Sequence, residues 1–199
     1  MAATALAGLG RTEATRARIL DAAFDAVATF GLARLTVEDV ARQAGLSRQS
    51  VYRYFASRDE LIGALVLREV DAILEGVREA NARHADLEAA VGESALFCLR
   101  TLRRHPLLDR LLAWEPETLL PHLTTRAGPV IARAREVLED MAAERVGVRS
   151  RLVHRTADVA VRAIVSYALT PSEDEPEDIA AELARILASA LEVREEDVR

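Results

Sequence analysis

The chain has 199 residues with 26 basic and 32 acidic side chains, one cysteine and a formal net charge of −6. Every basic residue is an arginine, which excludes mechanisms that need a lysine, such as Schiff-base chemistry or a phosphate-loop lysine. A single cysteine, the lack of a signal peptide and the lack of a long uncharged run predict a soluble, cytoplasmic protein without a membrane partner.

Ala and Leu supply most of the apolar half of the sequence, and this composition favours helices over strands. A flexible arm is expected at 1–11, and apolar residues at helical spacing predict a first helix at 12–30. Capping residues and a turn glycine then predict two short helices at 37–44 and 47–54, and a Ser/Glu capping box starts a long helix at 58–82. Further helices are predicted at 87–104, 106–114, 116–125, 128–145, 151–169 and 176–192.

The chain contains a basic stretch despite its negative net charge. Four arginines and no acidic residue lie between Arg42 and Arg58. Phosphates respond mainly to the nearby field, because salt screens charges beyond about 10 Å. This stretch is therefore compatible with DNA binding, although a solvated helix face is the ordinary explanation of a charge run.

The spacing within residues 36–61 (TVEDVARQAGLSRQSVYRYFASRDEL) favours DNA binding. Two short helices joined by a turn at Gly45 have the dimensions of a helix-turn-helix. The second helix carries hydrogen-bond donors and amphipathic rings on its outer faces. A helix of this kind can enter the major groove with its first residues at the base edges.

This block strongly resembles the DNA-binding domain of the TetR family of transcriptional regulators, over residues 12 to about 67. The residues that match the family signature are Thr36, Ala41, Gly45, Ser47, Val51, Tyr52, Tyr54, Phe55 and Leu61. The resemblance implies an all-α protein with an N-terminal three-helix helix-turn-helix DNA-binding domain at 12–58. A larger helical ligand-binding and dimerisation domain would follow at 59–199.

The resemblance also implies phosphate contacts from some residues and base contacts from others. The predicted DNA-binding residues are Thr36, Ser47, Arg48, Gln49, Ser50, Tyr52, Arg53 and Arg58. Gln49 stands where the family often has glycine and can add a bidentate adenine contact, and Arg58 replaces the usual lysine. Tyr54 and Phe55 are expected in the core, and Tyr52 either contacts a phosphate or packs.

In this family the last two long helices form a four-helix bundle with those of a second subunit, which implies a homodimer through 151–169 and 176–192. The apolar faces predicted to form it are Val153, Ala157, Ala160, Val161, Ile164 and Ala168, and Ile179, Leu183, Ile186, Leu187 and Ala190. Packing within one subunit is the alternative. A dimer places two recognition helices about 34 Å apart and predicts a palindromic operator.

An effector pocket is predicted from the segments that surround the cavity in relatives. Its candidate residues are Phe97, Cys98, Leu102, Leu111, Trp114, His122, Arg162, Ser166 and Tyr167. Their apolar character suggests a hydrophobic small-molecule effector, although each residue alone can be ordinary core. Arg162 and Ser166, one turn apart, either orient the effector or bridge the dimer. Binding near 106–129 is expected to spread the two DNA-binding domains.

The sequence thus predicts a ligand-responsive repressor that uses neither cofactor nor metal. An enzyme is disfavoured, because the four histidines are scattered and stand in no metalloprotease or nucleophile-elbow context. A helical scaffold or adaptor without sequence-specific DNA binding is the alternative, but it leaves residues 36–61 unexplained.

Overall fold

A computed structural model of the chain describes residues 2–170 and 172–192, with side chains at 12–170 and 172–191. Over these ranges the chain is helical and contains no strand. The helices are α1 (Ala2–Phe30), α2 (Val37–Gln43), α3 (Arg48–Tyr52), α4 (Arg58–Ala82), α5 (Leu87–Arg103), α6 (Leu108–Trp114), α7 (Pro116–Leu123), α8 (Gly128–Val146), α9 (Arg151–Leu169) and α10 (Pro176–Glu192).

The all-α prediction is confirmed, and the largest difference in helix bounds is at the N-terminus. Helix α1 begins at Ala2, where the sequence predicts a flexible arm at 1–11, and Met1 lies outside the described residues. Alanine and leucine dominate this stretch, and their helix propensity supports its continuation past two glycines. The other helices end within about two residues of their predicted bounds, which is the usual uncertainty of a helix end.

Side-chain caps position the short helices near the N-terminus. Thr36 accepts a hydrogen bond from the backbone N–H of Asp39 at 3.1 Å, and Ser47 accepts one from Ser50 at 3.0 Å. Ser57 caps α4 in the same way, through the N–H of Glu60. Each cap stabilises its helix by about 1 kcal/mol, so the starts of α2, α3 and α4 are fixed by local sequence.

The core of the first three helices extends beyond the predicted domain boundary at residue 58. Val40, Val51 and Phe55 are buried together, with Tyr54 packed against them. The same cluster includes α4 and the segment formed by α6 and α7, through Leu61, Ile62, Leu65, Leu107, Leu111 and Leu119. Helices α4, α6 and α7 therefore connect the N-terminal helices to the rest of the molecule.

The apolar faces of α9 and α10, which the sequence predicts as a dimer surface, are largely buried within the subunit. Val153, Ala157 and Val161 are buried within the subunit, where α9 packs against α8 and α5. Ile179 and Leu187 are buried on α10, which packs against α5. Only Ile186 of the predicted faces is a largely exposed side chain. These apolar faces therefore pack within one subunit, where the same stripe encloses the cavity described below. A dimer through the outer faces of the two helices stays a prediction.

Two glycines with positive φ allow a prediction about stability. Gly31 has φ 88° and Gly45 has φ 62°. A Cβ at Gly45 would meet no atom within 4 Å, whereas one at Gly31 would overlap the Glu115 carboxylate. Gly45→Ala is therefore expected to cost about 1–2 kcal/mol of unfolding free energy, the left-handed backbone penalty alone. Gly31→Ala should cost more, because the Glu115 carboxylate must move and give up its hydrogen bond from the backbone N–H of Ala33. Urea unfolding measures both costs, and equal costs would contradict the close approach of Glu115.

Candidate nucleic-acid interface and ligand cavity

Helices α2 and α3 form a helix-turn-helix. The turn passes through Gly45, and the N–H of Leu46 donates to the carbonyl of Ala41 at 2.8 Å. Val40 and Val51 are fully buried between the helices. Because the turn and this contact fix α3 on the rest of the N-terminal core, its outer face is presented as a rigid surface.

Most of the predicted DNA contacts lie together on that surface. The exposed residues are Thr36, Ser47, Arg48, Gln49, Tyr52 and Arg53, and Ser50 is half-buried. Tyr52 is 38% exposed, and the Arg48 guanidinium lies 5.5 Å from the centroid of its ring. Arg48 also donates to the Tyr52 hydroxyl at 3.4 Å. The interface thus offers cationic and hydroxyl donors around one aromatic ring, and their contact with DNA remains a prediction.

Arg58 has a different environment from the one that the sequence predicts. Its guanidinium donates to the carbonyls of Leu32, Ala33 and Leu35, at 2.6, 3.1 and 2.7 Å. These carbonyls belong to the loop after α1. That of Leu32 also accepts from the backbone N–H of Leu35, and the arginine satisfies the other two. Arg58 therefore joins this loop to α4 while remaining half-exposed, and its phosphate contact stays a prediction.

Thr36 is similarly engaged. Besides its cap, its hydroxyl donates to the Asp39 carboxylate at 2.5 Å, and Arg42 pairs with the same carboxylate at 2.5 Å. The hydrogen bond from Thr36 and the charge of Arg42 lower the pKa of Asp39. The carboxylate therefore stays ionised beside the interface and offsets part of the basic charge there.

A long apolar cavity of ≈ 270 Å³ runs through the larger domain, enclosed mainly by α4, α5, α8 and α9. It follows α4 from Ile62 to Asn81, a helical rise of about 28 Å. One end touches the core of the N-terminal helices at Phe24 and Val27, and the other reaches Leu191 of α10. Its length and apolar lining suit an elongated hydrophobic ligand.

Cys98, Leu102 and Leu111 line this cavity, as the sequence predicts for the effector pocket. Burial raises the pKa of the Cys98 thiol to about 12, so Cys98 contributes a neutral side chain to the wall. The other six predicted residues, Phe97, Trp114, His122, Arg162, Ser166 and Tyr167, are not among the residues that line it.

The orientation of each side chain on its helix explains five of these six exceptions. Phe97, one position and about 100° from Cys98, lies against Gly76 instead. Trp114 is 81% exposed, and Arg162 and Ser166 are exposed on the outer face of α9. Tyr167 packs on the cluster formed by α5 and α10. An apolar residue on the correct helix is thus not sufficient to predict a wall residue.

His122 occupies a buried site outside the cavity. Its ring lies against Gly63 of α4, and its Nε2 is 3.5 Å from the Asp59 carboxylate, which also pairs with Arg126. Burial and the nearby Arg126 charge lower the pKa of His122. His122 is therefore neutral at neutral pH, and Nε2 has no hydrogen-bond partner.

The α6–α7 segment is attached to the N-terminal helices by polar contacts that sequence reasoning missed. Arg110 donates to the carbonyls of Val27 and Ala28 at 2.8 and 2.7 Å, at the end of α1. Glu115 accepts from the backbone N–H of Ala33. The partners are 82 or 83 residues apart, so no local pattern signals them.

Two negative findings apply to the described part of the chain. No group of three or more His, Cys, Asp or Glu side chains is placed to hold a metal ion there. None of the helices described is both long enough and apolar enough to cross a membrane.

Comparisons with known proteins give consistent matches over both parts of the chain. Residues 19–65 match the model of bacterial regulatory proteins of the tetR family, and residues 86–189 match that of the bacterial tetracyclin repressor C-terminal domain. The HTH-type transcriptional regulator AlkX of Mycobacterium tuberculosis is 33% identical over 189 residues, 88% of this chain and 86% of that protein. TtgR of Pseudomonas putida is 30% identical over 161 residues, 80% of this chain and 70% of that protein.

A solved structure extends the likeness to the fold. The TetR family repressor AlkX from Dietzia sp. strain DQ12-45-1b, implicated in biodegradation of n-alkanes, superposes with a TM-score of 0.76 at 31% identity. The match covers 88% of this chain and 97% of the Dietzia protein.

Proposed function

We propose, since this chain belongs to the TetR family of DNA-binding transcriptional regulators, that it is a cytoplasmic repressor released from its operator by an aliphatic effector. The observation that carries the proposal is the exposed donor surface of α3, fixed to a core that also touches a long apolar cavity. The first feature suits DNA and the second suits a hydrophobic ligand.

The proposed operator is palindromic, because the proposed repressor is a homodimer through 151–169 and 176–192. The outer faces of α9 and α10 support this dimer. Val159 is 58% exposed and Ile186 is 51% exposed on these faces. Arg162 and Ser166 share the outer face of α9, which favours their role in bridging the dimer over contact with the effector.

The effector is proposed to be a linear aliphatic compound. The cavity follows about five turns of α4, and its walls are almost entirely apolar side chains. The Dietzia relative is implicated in n-alkane biodegradation, which supports the same class of ligand for this chain.

Release is proposed to act through the contacts of the α6–α7 segment. Leu107, Leu111 and Leu119 line the cavity and also belong to the N-terminal core. An effector that displaces them would move Arg110 and Glu115, which bond to the end of α1 and to the loop after it. The effector must bind the released state more tightly than the DNA-bound state for this shift to occur.

The proposal is tested by fluorescence anisotropy with DNA from upstream of the protein's own gene. We expect specific binding that weakens as salt is raised, with scrambled DNA of the same length as the control. Decane or decanol should then weaken binding about tenfold or more, the range of typical allosteric coupling. Equal affinity for the scrambled DNA would contradict operator recognition, and equal affinity with a bound aliphatic compound would contradict the release mechanism.

A further inference from the structure

Two facing polar side chains lie in the largely apolar lining of the cavity. Glu69 of α4 and His105, between α5 and α6, both line it at the end near the N-terminal helices. Both side chains are largely buried, and the Glu69 Oε2 atom is 3.7 Å from His105 Nε2. This distance exceeds that of a good hydrogen bond, so the two atoms remain able to bind a third group.

The hydrogen bonds around this pair define what each atom can offer. The backbone N–H of Leu107 donates to His105 Nδ1 at 3.4 Å, which favours the tautomer with the ring proton on Nε2. Glu69 Oε1 accepts two hydrogen bonds from Arg68, at 3.1 and 2.9 Å. His105 and Arg68 lower the pKa of Glu69, so its carboxylate is ionised at neutral pH. The cavity thus meets one donor, Nε2–H, beside one acceptor, Oε2.

The other polar groups of the lining are engaged elsewhere or are weaker. Arg145 donates to Asn81 and to the carbonyls of His84 and Ala85, closing the far end. Ser94 donates to the carbonyl of Ala90 at 2.7 Å, within its own helix. Thr156 adds only a neutral hydroxyl. Glu69 and His105 therefore dominate the recognition of a polar group on the ligand.

We propose that Glu69 and His105 select an aliphatic chain that ends in a hydroxyl group over one that ends in a carboxylate. A hydroxyl can accept from His105 Nε2–H and donate to Glu69 Oε2 at the same time. A carboxylate only accepts, and it would face the Glu69 charge in a largely apolar cavity. An alkane makes neither bond. The inference rests on the proposed aliphatic effector and specifies its head group.

The location of this pair also relates it to the DNA-binding domain. Arg68, which holds Glu69, pairs with Asp21 of α1 at 2.7 Å and lies over the ring of Phe24. A hydroxyl bound at Glu69 would therefore be connected to the N-terminal helices through the Arg68 side chain.

The inference is tested by displacement of the neutral fluorophore N-phenylnaphthylamine from the full-length protein at neutral pH. Decanol is expected to displace it at a concentration about 10- to 100-fold lower than decanoate, the worth of a hydrogen bond to a charged group. Decyl methyl ether, which accepts but cannot donate, should also bind more weakly than decanol. This comparison needs no variant, so it does not depend on the folding of one.

Two variants then identify the residue responsible. Glu69→Gln should reduce the preference for decanol over decanoate to about threefold or less, because the repelling charge is lost. Glu75→Gln is the matched control, an exposed glutamate of the same helix that pairs with Arg78 outside the cavity, and it should keep the preference.

The outcomes separate this inference from the proposed function. Equal displacement by decanol and decanoate, or a preference that survives Glu69→Gln, would overturn the head-group selection and leave the aliphatic effector standing. Failure of all three compounds to displace the fluorophore would overturn the aliphatic effector and this inference together.

Discussion

Arg48→Ala is expected to weaken operator binding about 30-fold or more while the fold is retained. Arg48 is exposed at the start of α3, and its contacts within the chain are to Tyr52. A side chain that reads a base edge contributes about 1–3 kcal/mol, and the proposed dimer loses this contribution at both half-sites. Anisotropy titrations at one fixed salt concentration measure the loss, and circular dichroism verifies the helical content.

Arg149→Ala is the matched control for this experiment. Arg149 is also an exposed arginine with one intrachain partner, Asp140, but it follows α8 far along the chain from α3. Arg149→Ala should leave operator affinity within about twofold of that of the unmodified protein, because salt screens the effect of removing one distant charge. Equal losses in the two variants would indicate nonspecific electrostatic binding, and no loss in Arg48→Ala would remove this residue from the interface.

Ile186→Glu is expected to convert the proposed dimer to monomers and to weaken operator binding about 100- to 10,000-fold. The exposed Ile186 side chain lies on the proposed dimer surface. In the variant, each subunit would bury one unpaired carboxylate in the interface, and burial of an unpaired charge is costly. In a dimer, binding of one subunit to its half-site holds the second subunit at a high effective concentration near the other half-site. A monomer lacks this advantage, which accounts for the size of the effect. Sedimentation velocity over a range of concentrations measures the oligomeric state.

Val148→Glu provides the comparison for Ile186→Glu. Val148 is as exposed as Ile186, at 54%, but it lies between α8 and α9, outside the outer faces of α9 and α10. This variant should remain dimeric and bind the operator normally. A dimer that persists in Ile186→Glu would show that the subunits meet elsewhere.

The features that the sequence predicts well are those determined by neighbouring residues. Thr36, Ser47 and Ser57 cap their helices as predicted, because a cap depends only on residues two or three positions away. Gly45 likewise defines the turn through its own φ. The helix-turn-helix and the order of the helices therefore follow from local patterns.

The features that the sequence does not predict depend on how helices are rotated against one another. Val153 and Val161 form an apolar stripe that suits a dimer surface or an internal wall equally well, and packing with α8 and α5 decides between them. Phe97 and Cys98 are neighbours, yet only Cys98 lines the cavity. Rotation of a helix by one residue exchanges such positions, and the pattern within one helix does not fix it.

Hydrogen bonds between residues far apart in the sequence are not predicted by local patterns either. Arg58 looks like a solvent-facing cation in the sequence, but three loop carbonyls more than twenty residues earlier engage it. The pair of Glu69 and His105 joins α4 to the connection between α5 and α6, and the local sequence around either residue gives no signal of it.

Selection of bound sequences from a pool of randomised double-stranded DNA tests the central claim most directly. The full-length protein is expected to enrich an inverted repeat. The centres of its two half-sites should lie about 34 Å apart, which is one turn of the duplex, or a whole multiple of that distance apart. Decanol added to the selected complex should release the DNA, whereas Ile186→Glu should fail to enrich the repeat. Recovery of DNA without any inverted repeat, or of complexes that no aliphatic compound releases, would contradict a dimeric, effector-released repressor.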